Sequence, residues 1–139
     1  MGSDAFDPQQ DYPLGSRRPD LVATPSGMPL DDVTLDAARS GRLVAADVRA
    51  TSATLRYQAA VARAAGRDPL ADNLERAAEL ASVPDGELLE IYTALRPGRS
   101  SVVELDAWAT KLETYGAQLT AAFVRHATAA YVERGLIRS

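Results

Sequence analysis

Past Asp31 the apolar positions recur every three or four residues, and each run is bracketed by residues that open or close a helix. A short first segment spans Val33 to Ser40, with Asp32 or Thr34 as its cap and Gly41 at the stop. Asp47 and its neighbours have room for one further turn. Ser52 is placed to cap a helix reaching Ala65, with Leu55, Ala59, Ala62 and Ala65 on one face and Gly66 as the exit. Asp68-Pro69 reads as N-cap and first helical residue of a helix to Ala81. Its apolar stripe is Leu70, Leu74, Ala77 and Ala81, and Asp72 is spaced to pair with Arg76. Pro84 opens a helix carrying Leu88, Ile91, Tyr92 and Leu95, which Pro97-Gly98 must end. Ser101 and Glu104 have the spacing of a capping box, and Trp108, Leu112 and Tyr115 follow on one face. Gly116 interrupts that face, so the helix either kinks there or gives way to a second one. Leu119, Phe123, Ala127 and Ala130, with Val124 and Tyr131 alongside, then continue to Gly135. The predicted fold is all-α, a small helical bundle with short loops covering residues 33–139.

The chain ahead of this is different. Residues 1–32 hold five of the eight prolines (Pro8, Pro13, Pro19, Pro25 and Pro29), and their apolar side chains follow no helical period. An extended proline-rich arm is predicted. It carries Tyr12, Leu14, Leu21, Val22, Met28 and Leu30, too many apolar groups for a freely solvated tail.

Composition narrows the function. The chain has 139 residues, enough for a core without staples, and no cysteine, which removes thiolate metal sites and thiol nucleophiles. Its net charge of −4 argues against broad contact with nucleic acid. No run approaches the roughly 18 apolar residues of a membrane span, and the first ten residues have neither a basic nor an apolar signal region, so no membrane association and a cytoplasmic location are expected.

Candidate chemistry is sparse. His126, the single histidine, borders the last apolar stripe and is expected as a partly buried structural or interface residue, with no nucleophile marked beside it. Asp31, Asp32 and Asp36 could attract a hard cation, but capping and the helix dipole explain three acids at a helix start, and no metal site is expected. Arg17 with Arg18, and Arg96 with Arg99 around Pro97, could each grip a carboxylate or phosphate, although solvated or partner-facing arginines are the commoner case. No phosphate cradle, zincin or nucleophile-elbow motif is present, and no catalytic or cofactor-binding residue is predicted.

Longer strings carry more. DYPLGSRRPDLVATPSG at 11–27, LDDVTLDAARSG at 30–41, YQAAVARAAGRDPLADNLERAAELASVPD at 57–85, EIYTALRPGRS at 90–100 and AAFVRHATAAYVERGL at 121–136 stand in order along nearly the whole chain after Gln10. In these strings the chain resembles the small (γ) subunit of adenosylcobalamin-dependent diol dehydratase, and the small subunit of glycerol dehydratase is similar to it. The resemblance implies a non-catalytic chain that supports a large subunit, in a heterotrimer with large and medium subunits that pairs into a dimer of trimers. It implies dehydration of propane-1,2-diol to propanal, or of glycerol to 3-hydroxypropanal, by a radical mechanism, with adenosylcobalamin held by the partner subunits. Some enzymes of this type are enclosed in bacterial microcompartments; residues 1–10 here form only a short head with Phe6 as its large apolar residue.

With that resemblance, Tyr12, Leu14, Leu21, Val22 and Met28 are expected as apolar anchors of the arm on the large subunit, with Arg17 and Arg18 pairing with its acids. Arg96, Arg99 and Trp108 are expected near a second contact surface, since arginine and tryptophan are enriched at interfaces. The competing reading is a stand-alone helical adaptor whose arm binds an unrelated protein.

Overall fold

Side chains that satisfy free backbone groups set the ends of the helices. The computed structural model describes residues 5–139, and the first four residues of the predicted arm lie outside them. Among the described residues the chain is all-α, with seven α-helices and no strand. They are α1 Leu14–Arg17, α2 Leu35–Arg39, α3 Ser52–Ala64, α4 Asp68–Leu80, α5 Asp85–Ala94, α6 Val102–Thr114 and α7 Gln118–Arg134. Thr34 caps α2 by accepting the Ala37 N–H at 3.1 Å. Ser101 and Glu104 form the predicted box, with the Ser101 N–H donating to Glu104 Oε2 at 2.7 Å and the Glu104 N–H to Ser101 Oγ at 3.3 Å. Two starts are shifted by one residue. Thr51, not Ser52, caps α3, and α4 already includes Asp68. Gly116 resolves as a break between two helices, in the left-handed region at φ 76° that a side chain would disfavour.

The chain divides between Ala78 and Glu79, inside α4, into two compact units. In the first, α3 and α4 run antiparallel over a core rich in alanine: Ala37, Ala59, Ala62, Ala71 and Ala78 are buried with Leu14. The Ser52 hydroxyl, freed from the capping role, donates to the Ala78 carbonyl at 2.7 Å and fastens the start of α3 to the end of α4. On α3 the predicted stripe holds at Ala59 and Ala62, which are buried, and only its last member, Ala65, is exposed. On α4 the stripe is rotated: Ala71 and Ala78 take the core and let the helices approach closely, while Leu70 and Ala81 are exposed. The Asp72 carboxylate accepts from Arg63 at 2.9 Å, while Arg76 donates to Asn73.

The arm is built of short turns rather than one extended run. It holds α1, two 3₁₀ turns at Pro19–Leu21 and Leu30–Asp32, and a single antiparallel bridge between Ala23 and Pro29. Phe6 packs against Tyr57 of α3, with ring centroids 4.7 Å apart. The turn expected around Asp47 is a 3₁₀ segment, Ala45–Val48.

In the second unit α6 and α7 pack along their length. Val83, Ile91, Ala109, Leu112, Ala117, Ala121 and Val124 form the core, with Leu88, Leu95, Trp108 and Tyr115 packed against it. The buried face of α7 is Thr120, Ala121, Val124 and Thr128, so the predicted stripe of Leu119 and Phe123 is half exposed. Thr128 can be buried because its hydroxyl donates to the Val124 carbonyl at 2.8 Å. Tyr92, predicted on the buried stripe of α5, is also exposed. The Tyr131 hydroxyl donates to the Leu95 carbonyl at 2.6 Å and ties α7 to the end of α5.

Candidate interaction surfaces

The predicted arm anchors separate into two groups. Leu14 is a core residue of its own unit, so it is not available to a partner. Leu21, Val22 and Met28 are half-buried, and Tyr12 is 62% exposed. Arg17 is exposed, but the Arg18 guanidinium is held within the arm, donating to Asp11 at 3.0 Å and to Asp20 at 3.0 Å. Those bonds, Asp20 first, raise the Arg18 pKa, and Arg18 in turn lowers that of Asp20. This pairing closes the arm on itself rather than reserving both arginines for a partner.

A feature just past the arm was not predicted. Asp47 is buried, and its Oδ2 accepts the Val44 N–H at 3.0 Å while Oδ1 has no hydrogen-bond partner. The Ser26 hydroxyl and then the Val44 N–H hold its carboxyl below the ordinary aspartate range. Asp47 lines a small cavity of about 270 Å³ with Val22, Leu30 and Val33.

In the second unit an open groove of about 520 Å³ brings together two of the three residues expected at the other contact surface. Arg99 and Trp108 line it with Leu89, Thr93, Glu104 and Arg138. Arg96 does not line it. The geometry follows from the chain ends of this unit: Gly98 donates its N–H to the Leu136 carbonyl at 2.7 Å, and the Arg138 N–H donates to the Ser100 carbonyl at 3.0 Å. Arg138 also pairs with Glu104 at 2.6 Å across the groove. Arg99 has no ion pair among the described residues. Trp108 is half-buried, one face on the core, and the Lys111 ammonium stands 5.3 Å from its ring centroid. Exposed Leu89 and an indole beside a guanidinium can take an apolar side chain next to a hydrogen-bond acceptor.

The groups considered for catalysis sit elsewhere. His126 is exposed on α7, a correction to the partly buried position expected, because the face it borders is not the one α6 covers. Asp36 stands 3.5 Å from Arg42, and among the described residues no group of three or more ligating side chains could hold a metal ion. No helix among them is long and apolar enough to cross a membrane.

Comparison with known proteins agrees with the extent of the fold. Residues 8–138 match a family described as dehydratase small subunit. The propanediol dehydratase small subunit of Citrobacter freundii is 54% identical over 125 residues, covering 89% of this chain and 73% of that protein. The one from Salmonella typhimurium strain LT2 is also 54% identical over 125 residues, covering 89% of this chain and 72% of its own length.

Proposed function

Because the chain belongs to the dehydratase small-subunit family, we propose that it serves as the small subunit of a propanediol dehydratase and supports assembly rather than supplying reacting groups. The identity of 54% over 89% of the chain to relatives bearing that name is the observation that carries the reading. Its partners are a large and a medium subunit, in heterotrimeric units that pair, and the complex dehydrates propane-1,2-diol to propanal, with glycerol as a second substrate. The exposed Tyr12 and Leu89 and the half-buried Trp108 support a role in contact with other chains.

The family brings adenosylcobalamin with it, and this chain's residues do not fit that cofactor. The grooves described above, about 270 Å³ and 520 Å³, are open and far smaller than a corrin with its axial ligands requires, and His126 lines neither. The reading therefore puts the cofactor on the partner subunits, and no step of the reaction runs through this chain. The enzyme is read as cytoplasmic, within a bacterial microcompartment.

Co-expression with the adjacent large and medium chains, size-exclusion chromatography and a propane-1,2-diol dehydration assay test the reading. Co-elution of all three, with aldehyde formed only when adenosylcobalamin is added, is the expected result. Elution of this chain alone, with turnover unchanged by its omission, would favour an adaptor with another partner.

A further inference from the structure

The first unit carries a groove of about 490 Å³ between α3 and α4 that neither its own core nor the sequence pattern accounts for. That is within the range of about 300–1,000 Å³ typical of binding pockets. Its walls are Val61, Ala62 and Ala65 from α3 and Leu70 and Leu74 from α4, with Tyr12 of the arm at one side. The volume is open because α3 presents alanines where longer side chains would fill it. Leu70 is 44% exposed and Tyr12 62%, so two large apolar groups stand at the mouth in water. Arg67 is the one charged residue among the lining residues, and Gln58 is the other polar one.

The charge of that arginine is what distinguishes the groove. The nearby acids Asp68, Asp72 and Glu75 all face Arg63, at 3.5, 2.9 and 3.1 Å. Arg67, one turn later in the chain, has no ion pair among the described residues. A mainly apolar groove with one unpaired guanidinium at its edge complements an apolar side chain lying beside a carboxylate.

We propose that this groove receives a segment of another dehydratase subunit in which a large apolar side chain enters between α3 and α4 and a neighbouring Asp or Glu pairs with Arg67. The inference rests on the small-subunit reading above and assigns it a contact surface. Tyr12 closes one side of the bound side chain and supplies a hydroxyl to the partner's backbone.

The test uses the full chain co-expressed with the large and medium subunits, isolated through a tag on the large subunit, with the small subunit retained measured as salt is raised. Variants Arg67→Glu, Arg67→Lys and Leu70→Asp are compared with wild type, and helix content of each free variant is checked by circular dichroism. Arg67→Glu and Leu70→Asp should weaken retention at least about tenfold, whereas Arg67→Lys keeps most of it and its dependence on salt. Arg67 is exposed, so Arg67→Glu stays informative even if Leu70→Asp disturbs the helices. Wild-type retention by both disruptive variants overturns the groove proposal and leaves the subunit reading standing. Failure of the wild-type chain itself to be retained overturns both. If the variants abolish self-association of the free chain but not its retention, the groove joins two copies of this chain and the proposal is overturned.

Discussion

The Glu79 carboxylate closes the N-terminal end of α7 at Thr120, 41 residues further along the chain, accepting the Thr120 N–H at 2.8 Å and the Thr120 hydroxyl at 2.7 Å on Oε2. Its other oxygen accepts the Leu119 N–H at 2.9 Å. The residue at the N-cap, Ala117, has no side-chain acceptor, so the helix start is satisfied from α4 instead. A negative charge there also complements the helix dipole.

Glu79→Ala should therefore behave like loss of an N-cap and destabilise the chain by about 1–2 kcal/mol. Urea unfolding measures this as a lower midpoint with an unchanged slope. Glu79→Gln, which keeps one acceptor oxygen, should lose less than Glu79→Ala. Equal stability of wild type and Glu79→Ala would mean that water satisfies α7 as well as the carboxylate does.

The rotated face of α7 gives a second comparison. Val124 is 1% exposed and Phe123 49% exposed, although the sequence pattern favours Phe123 as the buried residue. Val124→Ala should cost roughly 1.5–3 kcal/mol, and the larger truncation Phe123→Ala should cost less. Thermal unfolding of the two variants decides it, and the reverse order would place α6 against the other face.

How far the fold could be read from sequence depended on how local the deciding interaction was. The Ser101–Glu104 box, the Thr34 cap and the left-handed glycines at 66 and 135 are short-range devices, and the residues that make them announce themselves. Faces were harder. α7 carries alanines all round, so the apolar period has no sharp phase, and the close approach of α6 selects Ala117, Ala121 and Val124 over the bulkier Leu119 and Phe123. The same holds for α4, where Ala71 and Ala78 take the interior. For the candidate surfaces, Tyr12, Arg99 and Trp108 could be singled out by residue type. The pairing of Arg18 with Asp11 and the burial of Leu14 depend on how the arm turns back on itself. Arg67 reads in sequence as an ordinary loop charge, and only the apolar groove beside it gives it a role.

One cluster of the second unit should respond to both acid and alkali. Lys111 lies 2.9 Å from Glu87, and this ammonium first, with the Tyr115 hydroxyl second, lowers the Glu87 pKa below its ordinary 4.5. A depressed carboxylate contributes stability that is present above the ordinary value and is lost as pH falls through the lower folded one. Glu87 in turn raises Lys111 above 10.5 and, with burial, Tyr115 above 10.0. Their contributions are complete below those values and disappear as pH rises through the higher folded ones. The stability profile should therefore be flat between about pH 5 and 10 where this cluster is concerned. Glu87→Gln should remove its share of both limbs. Unfolding midpoints across pH check this, and an unchanged acid limb in Glu87→Gln would assign acid sensitivity to other carboxylates.

The groove of the second unit separates the three residues expected at a second contact surface. Arg99 lines it without an ion pair and Trp108 lines it while packing on the core, whereas Arg96 stands outside. Arg99→Ala should leave stability within about 0.5 kcal/mol, since the side chain is exposed, yet lower the amount of this chain retained by tagged large subunit. Trp108→Ala should lower both retention and stability, because the indole also covers the core. Arg96→Ala should change neither. Retention measured on the three variants in parallel distinguishes a contact surface from ordinary exposed arginines. Wild-type retention by both Arg99→Ala and Trp108→Ala would show that this groove is not a contact surface and that Trp108 is there for the core, leaving the arm and the α3–α4 groove as the candidate surfaces.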